Sequence, residues 1–356
     1  MILRAFLFVL LAVPAAANAQ APAAQQQPEA PRRPMALYVA GAGAAAPGGS
    51  AEGEAAPGVP LTVNTPLRIA SNTKTFVAAT LLRLWEQGRI DLDAPIGPLL
   101  TPALDALLRA DGYDTGRITI RQVMSHSAGF YDHGSDPRFV ERITTDPAHV
   151  WTREEQVRMS MVWADPQSPP GTEFRYSDTG YILLGDIIER RTGKPLAQAV
   201  RDELRLDRLG LTATWWERAE PPPPGAPARA RQWLGALDAT GVDPSMDLFG
   251  GGGQLMSARD LATLFAALFE GRIFDRPETL REMLWQGPHR GAERYRLGVF
   301  VTRVGDEDFY SHSGFWGTLV YYSPRRRLAV AGVTTNQDGF RRMRAAVEQR
   351  VGARPN

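Results

Sequence analysis

The stretch Leu67–Gly88, LRIASNTKTFVAATLLRLWEQG, decides how the rest of the chain is read. A short apolar run, Leu67, Ile69 and Ala70, leads into Ser71, after which the pattern turns helical. Phe76, Val77, Ala79, Leu81, Leu82, Leu84 and Trp85 are apolar, and no charge falls between Lys74 and Arg83. A helix apolar round most of its circumference is expected to be buried, and Gly88 is placed to end it. Ser71 stands at the helix entry, with Lys74 one turn on along the same face. A serine hydroxyl is a poor nucleophile until a base takes its proton. Lysine serves as that base only when burial or nearby positive charge pulls its pKa towards neutrality. Free N–H groups at a helix start can hold an oxyanion, worth roughly 2.7–4 kcal/mol per donor. Ser and Lys three apart arise easily by chance, yet of 40 basic residues only Lys74 and Lys194 are lysines. Arginine stays protonated in proteins and lysine need not. A lysine kept in an apolar helix of an arginine-rich chain therefore reads as a catalytic amine rather than a snorkelling surface group.

Upstream, Arg4, the apolar run Ala5–Val13 and the small-x-small triplet Ala17-Asn18-Ala19 read as a cleavable signal peptide over 1–19. The run is too short to span a bilayer, and no other stretch is long and apolar enough. Export to the periplasm or beyond is expected, with cleavage after Ala19 and no cysteine there for a lipid anchor. Residues 20–34, rich in Ala, Gln and Pro, read as a disordered linker. The absence of cysteine excludes disulfides, thiolate metal sites and a cysteine nucleophile. A net charge of +1 gives no reason to expect nucleic acid or an anionic membrane as partner. Oligomeric state is left open.

Met35–Ala40 is a strand candidate, and Gly41–Pro60, rich in Gly, Ala and Pro, reads as loop with at most one poor strand. The middle of the chain is helical and loop-rich: 103–109, 118–125, 153–161, 178–191 and 196–204 carry helical spacing, clearest where Tyr181, Leu183, Leu184, Ile187 and Ile188 recur. Trp215, Trp216 and Trp233 read as packing residues around the rigid loop Pro221–Pro224. Gly250–Gly253 lacks dinucleotide spacing and a phosphate-binding lysine, so close backbone packing is expected there. After the helix 258–270 the period changes to two. Stretches 296–303, 308–312, 318–323 and 327–334 read as hairpin-linked antiparallel strands, closed by a helix over 339–351.

Three stretches offer partners for Ser71. Tyr176-Ser177-Asp178 supplies a phenol able to shuttle a proton and a carboxylate to anchor Lys74, though Asp178 also suits a helix cap. His312-Ser313-Gly314, at a strand end, offers main-chain groups to an extended substrate. Ser125-His126-Ser127 invites a triad, or a zinc site with Asp132 and His133, but no recognised metal spacing or nucleophile elbow accompanies it. No metal or cofactor is expected.

Taken together, S-N-T-K at Ser71–Lys74, Y-S-D at Tyr176–Asp178 and H-S-G at His312–Gly314, with MSHSAGF and GGGQLMSARDLATLFAALFEG, resemble the serine beta-lactamase-like family. That family takes in class C beta-lactamases, D-alanyl-D-alanine carboxypeptidases, D-aminopeptidases and family VIII esterases. The resemblance implies an α+β fold, with an antiparallel sheet domain (35–95 and 245–356), an inserted helical domain (96–244) and a site in the cleft between them. It implies Ser71 as acylated nucleophile, Lys74 and Tyr176 sharing acid and base work, Asp178 orienting Lys74, and His312 polarising the Tyr176 end. Ser313, Gly314 and Phe315 would bind substrate, the N–H groups of Ser71 and Phe315 forming the oxyanion hole.

Departures matter. Asp178 stands where Asn is usual, and its charge should raise the Lys74 pKa and shift base work to Tyr176. His312 stands where beta-lactamases carry Lys, so activity should depend on pH near neutrality. Phe315 stands where some relatives use a hydroxyl to bind a carboxylate, which favours esters or apolar acyl groups. Part of the family's first strands and helix is expected to be missing. The reading is a serine hydrolase of esters or D-amino-acid amides and peptides. A beta-lactamase, or a catalytically weak penicillin- or peptidoglycan-binding protein, are the alternatives.

Overall fold

The computed structural model describes residues 33–353, so the expected signal peptide over 1–19 and all but the last two residues of the 20–34 linker lie outside the described residues. The helices are α1 (Thr73–Glu86), α2 (Pro102–Ala110), α3 (Ile120–Met124), α4 (Pro137–Thr145), α5 (Arg153–Trp163), α6 (Asp178–Thr192), α7 (Leu196–Glu203), α8 (Ala258–Phe269), α9 (Pro277–Met283) and α10 (Phe340–Val351). The strands of the main sheet are β1 (Met35–Ala40), β2 (Gly48–Glu52), β3 (Phe300–Val304), β4 (Glu307–Gly314), β5 (Thr318–Ser323) and β6 (Leu328–Thr334). Their spatial order is β3-β4-β5-β6-β1-β2, antiparallel throughout. The two ends of the described chain meet in this α+β arrangement, with Met35 opposite Thr334 and Ala40 opposite Ala329.

Alternation along the strands sorts the core. Val39, Phe309, Leu319, Tyr321 and Val330 face Met343, Val347 and Val351 of α10. Ala40, Val320, Tyr322, Ala329 and Ala331 face the other way, into the core that holds α1 and α8. Helices thus cover both faces, which is why β5 and β6 read as nearly continuous apolar runs. Residues 73–84 of α1 are all buried, and the helix packs on α6, α7 and α9. Truncating a central residue such as Leu81 should cost about 2–5 kcal/mol. Gly88, at φ +69°, takes the left-handed turn after the helix, as its position suggested.

A smaller sheet pairs Leu67–Arg68 and Thr214–Trp216 with Gln254–Met256, setting the lead-in to Ser71 beside the glycine run. Trp215 and Trp216 are buried strand residues, as packing required. Two differences stand out. Gly41–Pro60 holds β2 and a further short strand pair, because GGSAE joins β1 through main-chain bonds that leave no apolar period to read. The helices α4 and α9 were not evident in sequence; each opens on a proline, which suits a first helical turn but reads as a breaker.

Candidate active site

Ala70–Asn72 forms a single 3-10 turn feeding α1. Ala70 sits at φ +46°, a left-handed conformation costing a non-glycine residue about 1–2 kcal/mol. The turn is clamped. The Asn72 amide donates to the Ile69 carbonyl at 2.9 Å and to Thr318 Oγ1 at 2.7 Å, and Thr318 donates to the same carbonyl at 3.0 Å. The end of β4 presses so close that a Cβ on Gly314 would lie 2.0 Å from the Ile69 oxygen, so only glycine fits. The Ser71 turn and the strand carrying H-S-G are therefore one rigid unit.

Lys74, fully buried, has three close oxygen neighbours. It donates to Ser71 Oγ at 2.8 Å and to the Gly251 carbonyl at 2.6 Å, and it pairs with Asp178 Oδ1 at 2.5 Å. Burial by itself would lower its pKa, but Asp178, Tyr176 and Asp247 outweigh it and the pKa is raised. The side chain is an ammonium at neutral pH, not a free base. Ser177, rather than Asp178, caps α6 by accepting from the Gly180 N–H at 3.4 Å, which frees the Asp178 carboxylate for Lys74.

The Tyr176 phenol lies beside Ser71. Burial raises its pKa; the Lys74 charge and the Ser71 hydroxyl pull the other way without cancelling this, so the phenol is protonated. Its ring stacks on Phe300 at 6.0 Å and packs at a tilt against His126 at 4.3 Å, centroid to centroid. His126, at φ +55° and buried, accepts the Ser177 N–H on Nδ1 at 3.1 Å. MSHSAGF thus props the phenol from behind and forms neither a triad nor a zinc site. His133 lies apart, bonded through Nδ1 to Thr179 Oγ1 at 2.8 Å. Among the described residues no group of three or more His, Cys, Asp or Glu is placed to hold a metal ion, and no helix is long and apolar enough to cross a membrane.

His312 corrects two expectations. Its Nδ1 lies 2.9 Å from the Ser313 carbonyl, an acceptor only, so Nδ1 carries the proton and Nε2 accepts from the Tyr295 hydroxyl at 3.1 Å. Its partner is Tyr295; the Tyr176 ring lies 6.5 Å away, centroid to centroid. Burial pulls its pKa down to about 3, helped by the Lys74 charge, so it stays neutral near pH 7 and supplies no titration there. Ser313 also differs from expectation. Strand alternation turns its side chain to the far face, into a groove with Leu319, Tyr321 and Phe340, so only its main chain reaches the Ser71 side.

Ser71 opens on a small cavity. Phe139, Val140 and Ile143 of α4, Met246, Phe315 and Trp316 form its apolar wall, and Asp178, Asp247, His133 and Gln156 its polar one. On the opposite flank Tyr176 faces a groove shared with Asp132, Phe174, Arg175 and Arg294. Of the residues singled out in sequence, Ser71, Lys74, Tyr176 and Asp178 converge, Gly314 and Phe315 border them, His312 stands behind, and the Ser313 side chain points away. Sequence reading missed Tyr295, His126 as a prop, Gly251 as an acceptor, and Asp247. None carries a periodic signal, though the glycine run marked where the last two lie.

A family model described as Beta-lactamase matches residues 23–353. The chain is 32% identical over 168 residues to the esterase EstB of Burkholderia gladioli, covering 46% of this chain and 42% of that protein. It is 29% identical over 163 residues to a monacolin J acid methylbutanoyltransferase of Aspergillus terreus, covering 43% and 38%. The matches span about half the length, or less, of these curated relatives. A D-stereospecific amidohydrolase from Streptomyces sp. superimposes with a TM-score of 0.73 at 26% identity, covering 86% of this chain and 90% of that one.

Proposed function

This chain belongs to the beta-lactamase family, and from that premise we propose that it is a serine hydrolase, acylated on Ser71, of esters or D-amino-acid amides. The observation that carries the reading is the triple contact of Ser71, Lys74 and Asp178 beside the Tyr176 phenol. With Lys74 an ammonium and Tyr176 a neutral phenol, neither is a resting base. Proton movement is therefore a relay. As Ser71 Oγ attacks the carbonyl carbon, its proton passes to the Tyr176 oxygen while the phenol's own proton passes to the leaving nitrogen or oxygen. The Lys74 charge steadies the negative charge developing at Oγ. The N–H groups of Ser71 and Phe315 take the carbonyl oxygen. Water then adds by the reverse relay, releasing the acid and restoring Ser71. Tyr295 holds His312 in one tautomer, and His312 fixes the strand end through the Ser313 carbonyl. We read 35–95 with 245–356 as the sheet part and 96–244 as the helical part, joined at this site, in an exported protein.

The Asp178–Lys74 ion pair favours one second reading. A lysine held as ammonium makes a poor base for deacylation, so a slowly turning penicillin- or peptidoglycan-binding protein would look alike. The beta-lactamase reading is disfavoured by a neutral His312 at the place of a cation. Fluorophosphonate labelling with intact-mass readout, beside burst kinetics on p-nitrophenyl esters, tests these. A label absent in Ser71→Ala with a burst followed by steady turnover is expected. A label that survives Ser71→Ala overturns the hydrolase reading, and a burst without turnover leaves the binding protein.

A further inference from the structure

Asp247 is the group the relay does not use. Its backbone carbonyl accepts the Gly252 N–H. A Cβ on Gly252 would sit about 2 Å from the Asp247 carboxyl, so the glycine run makes the room that seats this carboxylate. Every cation near it is committed elsewhere. Lys74 pairs with Asp178 at 2.5 Å, and Arg68 pairs with Glu217 at 2.6 Å and donates to the Val242 carbonyl at 2.5 Å. No ion pair or hydrogen bond to the Asp247 carboxylate exists among the described residues. The carboxylate nonetheless lines the Ser71 cavity, across from Phe139, Ile143 and Trp316. An uncompensated charge in such a place is costly, and a cation arriving with the substrate removes the cost.

Resting on the hydrolase reading of this site, we propose that Asp247 anchors a protonated amine on the acyl part of the substrate, while the apolar wall takes a neighbouring hydrophobic side chain. The preferred substrate class is then an amide or ester of an amino acid with a free amino group and an apolar side chain. Charge balance supports this. Lys74 and Asp178 cancel, so an ionised Asp247 leaves the cavity one net negative charge, suited to a cation and hostile to an acyl carboxylate. Burial pushes the Asp247 pKa up to about 7, with Asp178 adding to it and Lys74 opposing, which is the mark of a carboxylate lacking its partner. Trp316 and Phe315 flank the same space and add aromatic faces, which attract ammonium groups as well as apolar ones.

Binding can be read without turnover. In Ser71→Ala protein, calorimetric titration with phenylalanine amide, each enantiomer in turn, and with 3-phenylpropanamide, which lacks only the amine, isolates the anchor. The better-bound enantiomer should bind at least about tenfold more tightly than the amine-free amide. Asp247→Asn in the same background should abolish that preference, and Asp247→Glu should keep part of it. Equal binding of the two ligands, or a preference that survives Asp247→Asn, overturns the proposal. Ester turnover by protein with Ser71 intact tests the hydrolase reading separately, so either can fail alone.

Discussion

The two flanks of Ser71 obey opposite rules. On the Tyr176 flank the reacting groups are held by close polar neighbours. Lys74 donates to Ser71 and Gly251 and pairs with Asp178, Ser177 bonds to His126, and His312 is fixed between Tyr295 and the Ser313 carbonyl. On the cavity flank a carboxylate stands unpaired opposite an apolar wall. The saturated flank has one arrangement available and suits chemistry, where misplacement by an ångström is expensive. The unsaturated flank is incomplete until something binds, which suits recognition. Changes on the first should therefore fall on kcat, and changes on the second on KM and selectivity.

The largest break in that contrast comes from Tyr176→Phe. The ring stays packed between Phe300 and His126, so stability should change little, while loss of the relay oxygen should lower kcat by about 10²–10⁴-fold. Equal falls in ester and amide turnover, read by steady-state kinetics, place the loss in the chemical step. Turnover within a few-fold of the parent would take the phenol out of the relay.

Asn72→Ala should cost less. It removes two side-chain bonds from the turn and leaves the Ile69 carbonyl to Thr318 and the main-chain N–H of residue 72, so roughly 1–2 kcal/mol of stability should go. With Ala70 already in a left-handed conformation, the loosened turn should also lower kcat, by about tenfold, with KM changed less. Thermal unfolding beside kinetics checks both. A loss carried by KM alone would place Asn72 on the recognition flank and blur the division.

The difference between the flanks also governs what could be read in sequence. The buried helix, the strand period and the order S-x-x-K, Y-S-D, H-S-G are local patterns, and α1, α6 and β5 appear at or within a few residues of the expected bounds. Lys74 stood out because lysine is rare in this chain. Tyr295, His126 and Gly251 act through contacts across 17 to 177 residues of sequence, such as the Tyr295–His312 bond, and no period announces such a contact. The protonation of His312 was misjudged for the same reason, since a histidine in a tripeptide gives no sign of being wholly buried. Ser313 was placed in the site because a motif lists neighbours, whereas a strand turns every second one away.

The smallest effect is the most diagnostic, since it asks whether the cavity flank is unfinished by construction. The Asp247 pKa is raised to about 7 from an ordinary 3.8, so its contribution to folding is intact at low pH and fades as pH rises from about 4 to 7. Asp247→Asn removes that pH-dependent loss. The variant should equal the parent in stability near pH 4 and exceed it above pH 7, by about 1 kcal/mol after allowing for the carboxylate's partial exposure. The buried neutral histidines, His312 at about 3 and His133 at about 4, act in the other sense, losing stability as pH falls below 6.5. They are common to both proteins and drop out of the difference. Denaturant melts at pH 4, 6 and 8 give the three points. In the Ser71→Ala background, which spares the ligand, adding phenylalanine amide at pH 7 should then favour the protein that keeps Asp247, because only it has a carboxylate for the protonated amine and gains stability by binding it. A variant no more stable at pH 8 would mean that the carboxylate is already satisfied, and the two flanks would be alike.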